Sequence, residues 1–433
     1  MRKGEASRQN GAWSNLRALG FPIVLVMCLA SCGQRLVPSS VDEPSPPQSA
    51  QASGAAPTAS ARLPTRVAEL APPPASSAAP PAAELAPPVA LVEPEPSIVL
   101  AAAGDVNFGR ECGQAILKDV AYDPFAGLNE AWRSADARFV NLESQLSDQH
   151  GLTQSPSHRL IFTGPPGGAE VLAQARVSLV STANNHAWDY GKDALFETIA
   201  NLERAQVPFA GTGRDVEQAY RPAVLRVAGR TIALFAVTQV WNQPPFAASA
   251  GKDFVAWANV DKLKAGIVQA RREHDFVLVS YHGGEEYVDA PIERTRAFAK
   301  AVMALGVDAF IGHHPHVPQG VGWADGRPIV YSLGNFVFAG HDERPWTKQS
   351  FFARITLKKG APAELSACPF AIDGHRPRSF DRSKETWATE RFRLHLIGTS
   401  TSVGGSNVAE PDELGCLRVT EKPAPQPSLS SSN

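Results

Sequence analysis

Short apolar runs, each closing on glycine, amide or ionisable positions, recur through the middle of the chain. The run at 98–103 is continuously apolar, and its length and flanks predict a buried strand. A loop over 104–109 follows it. The same pattern predicts strands at 137–140, 177–181, 207–210, 276–280 and 307–311. A strand with a tight turn is predicted over 328–336, and a closing strand over 351–357. Two strands, 223–227 and 231–237, face each other across Ala228-Gly229-Arg230 as a hairpin. Helical spacing fills the intervals at 124–135, 167–176, 192–205, 260–272 and 291–305, the last with Pro291 in its first turn. Ala194, Leu195, Ile199 and Leu202 form the apolar face of one of these helices. Strands alternating with helices predict an α/β layered domain over 97–375, followed by a C-terminal extension at 376–421 and a disordered tail at 422–433.

The chain ahead of this pattern reads differently. Residues 33–96 are rich in Pro, Ala, Ser and Glu and cannot bury enough apolar surface to fold. They predict a semi-extended tether. Before them, Arg2, Lys3, Arg8 and Arg17 precede an apolar run at 19–30, the length of a signal-peptide core rather than a membrane span. That run ends in Leu29-Ala30-Ser31-Cys32-Gly33, which resembles a bacterial lipoprotein lipobox. The resemblance implies lipidation of Cys32 and anchoring in the cell envelope, at the outer membrane or the periplasmic face. Gly33 is not Asp, so nothing signals inner-membrane retention.

Charge and cysteines narrow the picture. A net charge of −2 over 433 residues leaves no basic footprint for nucleic acid. Of five cysteines, Cys28 leaves with the signal and Cys32 carries lipid. Cys112, Cys368 and Cys416 remain, and Cys368 can pair with Cys416 to staple the extension. Their spacing is not that of a zinc site.

The candidate chemistry lies where the strands end. Gly312-His313-His314-Pro315-His316-Val317 places three histidines after a buried strand, where open α/β sheets put their sites. Asp105, Asn107, Asn141, Glu143, Asn185, His186, His282 and Glu285 fall at similar ends. Carboxylate, imidazole and amide oxygen suit Mn, Zn, Fe or Mg rather than a thiolate-binding metal. Two such ions, about 3.5–4 Å apart, can share a bridging carboxylate.

Gly104-Asp105, Asn141-Leu142-Glu143 and Ala183-Asn184-Asn185-His186 with Asp189 and Gly191 are similar to motifs of the CapA family. So are His282-Gly283-Gly284-Glu285-Glu286-Tyr287, the 312–317 block and Ser332-Leu333-Gly334-Asn335-Phe336. That family comprises proteins of capsule and poly-γ-glutamate biosynthesis, related to calcineurin-like metallophosphoesterases. The resemblance covers about 99–337 and implies a four-layer α/β/β/α sandwich with divalent metal ions, two by analogy, at the strand ends. Asp105 resembles the first ligand, Glu143 the bridging carboxylate, Asn185 a ligand of the second metal and His282 the fourth-block ligand. His314 and His316 resemble the final His-x-His pair, a place His313 can also take. His186 resembles the acid beside the leaving group, with Asp189 as its orienting partner and Glu285 as a further catalytic candidate. Two departures stand out: Asn107 replaces a usual histidine, and Glu143 has a longer arm than aspartate. Glu285 and Glu286 can equally be solvated, Asn335 can supply a turn and Ser332 a cap. Trp188, Trp241 and Tyr287 fit a groove or packing equally. Two functions follow from the resemblance: a hydrolase acting on an anionic cell-envelope polymer or its precursor, or a non-catalytic subunit that holds this polymer for a membrane synthase.

Overall fold

In the computed structural model, residues 97–119, 121–242, 244–340 and 344–423 are described below. The signal-like segment, Cys32 and the tether lie outside them, as does the tail from 424 onward.

Successive side chains of a strand face opposite ways, and that period decides the layering. In the strand Ile98–Val106, Ile98, Leu100 and Ala102 enter one core while Ala101 and Ala103 enter another. In the strand Arg230–Thr238, Ile232, Leu234 and Ala236 join the first of these cores, while Ala233, Phe235 and Val237 face a third. The shared core therefore lies between two sheets. On the outer face of the first sheet, Val140 and Val180 pack on Ile116 of helix Arg110–Lys118 and on Leu172 of helix Gly168–Gln174. On the outer face of the second, Val279 and Phe310 pack on Ile267 of helix Val260–Glu273 and Val302 of helix Glu293–Met303. Helix, sheet, sheet, helix is the four-layer sandwich expected. Each fully buried Leu, Ile or Phe contributes about 1.5–3 kcal/mol.

The first sheet has ten strands. At its centre Ile98–Val106 pairs in parallel with Ala137–Leu142 and with Asn335–Val337, and antiparallel with Gln349–Leu357. The second has six, with Phe276–His282 between Arg230–Thr238 and Ala309–His313, all parallel.

Three elements differ from expectation. Of 124–135 only Glu130–Arg133 is helical. The Asp123 carboxylate accepts the Phe125 N–H in a turn, and the Asn129 amide oxygen accepts the Ala131 N–H as the N-cap, so the helix begins only at Glu130. Helix Glu293–Met303 starts after Pro291, with Ile292 extended at its N-cap. The segment read as one strand and turn at 328–336 serves both sheets: Arg327–Val330 lies in the second and Asn335–Val337 in the first.

Residues 376–421 are built into the same layers. Leu417–Glu421 pairs with Glu364–Asp373, and Phe392 and Leu396 of helix Thr386–Thr401 enter the core between the sheets. Cys368 and Cys416 form a disulfide. No helix among the described residues is long and apolar enough to cross a membrane.

Candidate metal centre

Sheet register brings the polar groups together. Asp105 sits beside Asn141 on one neighbouring strand and beside Asn335 on the other. In the second sheet His282 sits beside His313. Two glycines permit the close approach. A Cβ on Gly104 would overlap the Gly334 carbonyl, and one on Gly312 would overlap that of Tyr331. Beyond the strand, His314 (φ 96) and His316 (φ 58) adopt left-handed backbone on either side of Pro315. Such conformations are costly for residues other than glycine and concentrate at functional sites. Here they swing both rings back towards the first sheet, and the His314 N–H donates to Asp105 Oδ2 at 3.3 Å.

Glu143 is the hub. Its Oε1 lies 3.9 Å from His186 Nε2, 3.8 Å from His282 Nε2 and 3.8 Å from His316 Nε2. Asp105 lies 3.5 Å from His313 Nδ1 and 3.4 Å from His316 Nδ1. Both carboxylates are fully buried. Two overlapping groups can each hold a metal ion: Glu143 with His314 and His316, and Asp105 with Glu143 and His282. Within each, the ligand atoms lie within 4.8 Å of one another, and Glu143 belongs to both.

The donor atoms fit a cation. Both oxygens of Glu143, both ring nitrogens of His313 and Nδ1 of His314 are buried without a hydrogen-bond partner. Unsatisfied buried groups are costly, and a divalent ion would satisfy several at once. Outer partners fix the rings. Asn335 donates through Nδ2 to the Thr347 carbonyl, which turns its Oδ1 to accept from His316 Nδ1 at 2.9 Å. The His316 Nε2 lone pair then faces Glu143. Asn141 donates to both Asp105 Oδ1 (2.8 Å) and His282 Nδ1 (3.1 Å). Asn185 donates to Asn242 and accepts from His282 Nε2 at 2.7 Å.

Electrostatics follow from burial. Burial, then the Asp105 charge, pushes the Glu143 carboxyl well above its usual range. Burial pushes Asp105 the same way, but the His313 and His316 imidazoles 3.5 and 3.4 Å away outweigh it and hold this carboxyl well below its usual range. Burial, then His314, drives His282 well down; burial, then His316, lowers His314 to about 3. His282 and His314 are therefore neutral at physiological pH, the form that ligates.

His186 is oriented from behind. Its Nδ1–H donates to Asp189 Oδ2 at 2.8 Å, and the same oxygen accepts the Phe162 N–H at 3.1 Å. The ring stacks on Phe162, centroids 4.1 Å apart, so Nε2 points at Glu143.

Two of the residues read from sequence stand apart. Asn107 is buried, but its Oδ1 accepts the Gly109 N–H at 2.7 Å and its Nδ2 has no partner. The amide oxygen is thus committed to a turn. Glu285 and Glu286 are both exposed, and of the two it is Glu286 that lines the cavity at the centre. The turn from Gly284 (φ 116) to Tyr287 (φ 65), held by the Tyr287 N–H on the Pro315 carbonyl, decides which of the adjacent glutamates lines the cavity. Tyr287 also lines the cavity, whereas Trp188 stacks on Phe254 and Trp241 packs on Phe246. Ser332 caps the turn before Asn335 through the Gly334 N–H. Sequence reading missed Asn242 and the arginines of the cavity wall, and underweighted His313 and Asn335. A histidine beside two others was the one available signal for His313.

The family model described as bacterial capsule synthesis protein PGA_cap matches residues 99–340, more than half of the chain. The chain belongs to this family. The matched stretch includes every residue of the centre from Asp105 to Asn335. The PGA biosynthesis protein CapA of Bacillus subtilis is 29% identical over 284 residues, covering 64% of this chain and 73% of that protein. The capsule biosynthesis protein CapA of Bacillus anthracis is 27% identical over 333 residues, covering 75% and 78%. Among solved structures, the calcineurin-like phosphoesterase YfkN of Bacillus subtilis superposes with a TM-score of 0.39 at 14% identity, covering 71% of this chain and 99% of that one.

Proposed function

We propose that this chain is a lipid-anchored, CapA-type protein of capsule or poly-γ-glutamate biosynthesis that hydrolyses a bond in an anionic cell-envelope polymer or its precursor. The observation that carries the reading is the doubly shared carboxylate: Glu143 belongs to both ligand groups and its oxygens accept no hydrogen bond. Asp105, Glu143, His282, His314 and His316 would hold two divalent ions, with His313 and Asn185 at their edge. When bound, such ions supply positive charge to polarise a phosphoester or amide and to acidify a water. The chain's own residues do the rest. Asn141 and Asn335 hold the ligands in register. Asp189 holds His186 so that its Nε2 can hand a proton to the departing group. Phe162 covers the His186 ring and limits water at that proton.

Asn107 favours a second reading. With its amide oxygen turned to Gly109, the centre lacks the imidazole expected there, which suits a non-catalytic subunit that holds polymer for a membrane synthase. Metal analysis of the purified chain, followed by assays on phosphoesters and γ-glutamyl peptides, separates the two. The first reading expects bound divalent metal and chelator-sensitive turnover. Polymer binding without turnover in the metal-loaded protein selects the second.

Anchoring has its own test. Cys32→Ser is expected to leave the membrane fraction and lose acyl label; identical fractionation of variant and wild type overturns it.

A further inference from the structure

The cavity in front of the centre measures about 490 Å³, and its wall carries His186, Asn185 and His316 together with three arginines, Arg110, Arg159 and Arg344. None of the three makes an ion pair with a carboxylate among the described residues. Among the described residues, Glu286 is the one carboxylate on the same wall.

Arg110 is held in place at some cost. Its backbone is left-handed (φ 54), and its Nη1 donates to the Ala339 carbonyl at 2.8 Å. Gly340 makes the room: a Cβ there would come within 2.9 Å of Nη1. The guanidinium lies 4.9 Å above the Phe162 ring, which also stacks on His186. Arg110 is thus one ring away from the candidate acid. The Arg159 carbonyl accepts from Arg110 Nη2 at 3.4 Å, which tethers the second arginine to the first. Arg344 lies 3.7 Å over the Tyr287 ring, and that ring in turn faces His316. Aromatic faces and a backbone carbonyl thus position Arg110 and Arg344, and none of the three arginines has a counter-ion among the described residues. Like charges gathered this way are favourable only with an anion between them.

We infer that Arg110, Arg159 and Arg344 form an anion subsite that takes a second acidic group of the substrate, a carboxylate or a phosphate, beside the bond presented to the metal centre. Burial above all, and the Arg159 charge in addition, lowers the Arg110 guanidinium from its usual value, as expected where a cation awaits a partner. The subsite rests on the proposed function for the position of the reacting bond; capture of the anion needs no metal.

The test therefore uses the full chain stripped of metal by chelator and dialysis. It is titrated calorimetrically with γ-linked triglutamate, with the same peptide fully amidated, and with inorganic phosphate. Triglutamate or phosphate is expected to bind, and the amidated peptide about tenfold or more weaker. Arg159→Ala, whose exposed side chain has no partner among the described residues, is expected to weaken anion binding by about tenfold with an unchanged melting transition. Arg110→Ala is expected to lose more, and Arg110→Lys to recover part of it. Tighter binding of triglutamate assigns the subsite to polymer carboxylates, and tighter binding of phosphate assigns it to a phosphoryl group. Equal binding of acid and amide, or unchanged affinity in Arg159→Ala and Arg344→Ala, overturns the subsite even if Arg110→Ala fails to fold. Arginine-dependent binding in a protein that turns nothing over when reloaded with metal leaves the subsite standing and removes the hydrolase.

Discussion

Glu143 places both carboxylate oxygens in a fully buried spot where no N–H or O–H meets them. Burying an ionised carboxylate that way is tolerated only when it is protonated or when a cation compensates it. The raised Glu143 carboxyl and the lowered Asp105 carboxyl describe the metal-free answer, in which one of the pair keeps its proton. Glu143→Gln removes the charge and keeps the shape. Metal analysis after dialysis should show its divalent metal content reduced by more than half, because both ligand groups lose the same member. Full content would remove Glu143 from its shared position. Asp189 acts only through His186, so Asp189→Asn should keep wild-type metal content. It should lower any turnover by about 10–100-fold, the usual cost of losing an orienting partner. Lost metal in this variant would instead make Asp189 part of the cation site.

At the scale of elements, the ends of two parallel strands carry the centre because a crossing segment sits tightly against both. The stretch from Arg327–Val330 to Asn335–Val337 leaves one sheet and enters the other, and Gly104 and Gly312 let it pass without a side chain in the way. Gly104→Ala should therefore destabilise strongly, by about 3 kcal/mol or more, since neither backbone can yield without breaking the Asp105 N–H bond to the Gly334 carbonyl. Gly167→Ala is the matched control: nothing lies within 4 Å of its added Cβ, and stability should change by less than about 0.5 kcal/mol. Denaturant midpoints measure both. Similar midpoints for the two variants would mean that the crossing is looser than the backbone contact implies.

For the whole molecule, the buried histidines set the response to acid. His282 and His314 have folded values below the ordinary 6.5, so the unfolded chain takes up protons first as pH falls. Their contribution is fully present above about pH 6.5 and is lost as pH falls towards about 3, the folded value of His314. Asp105, held low, adds to the same loss at the acid end. Glu143, held high, runs the other way: its proton favours the folded state as pH falls, which blunts the loss but opposes three groups with one. The melting temperature of metal-free protein should decline from about pH 6.5 downward, and His314→Asn should make that decline shallower. Added divalent metal should raise the melting temperature at neutral pH and progressively less below pH 6.5, because ligation requires neutral imidazole. A flat profile in both states would contradict the burial of these rings.

The strands, the hairpin and the placing of polar groups at strand ends were legible in the sequence because apolar runs and their period are local properties. Asp105, Glu143, His186, His282, His314 and His316 could be named for the same reason: each lies within a few residues after an apolar run. Which of them share a partner was not local. The hub at Glu143 exists only because two sheets bring their carboxyl ends together, and no spacing along the chain encodes a 3.8 Å approach between residues 143 and 316. Choices between neighbours were likewise tertiary. Glu286 rather than Glu285 faces the cavity because a left-handed turn is pinned to the Pro315 carbonyl, and His313 joins Asp105 because strand pairing sets it beside His282. The arginine wall was invisible in sequence for the plainest reason. Arg110, Arg159 and Arg344 lie far apart in the chain, and only packing around Phe162, Gly340 and Tyr287 turns three ordinary surface charges towards one cavity.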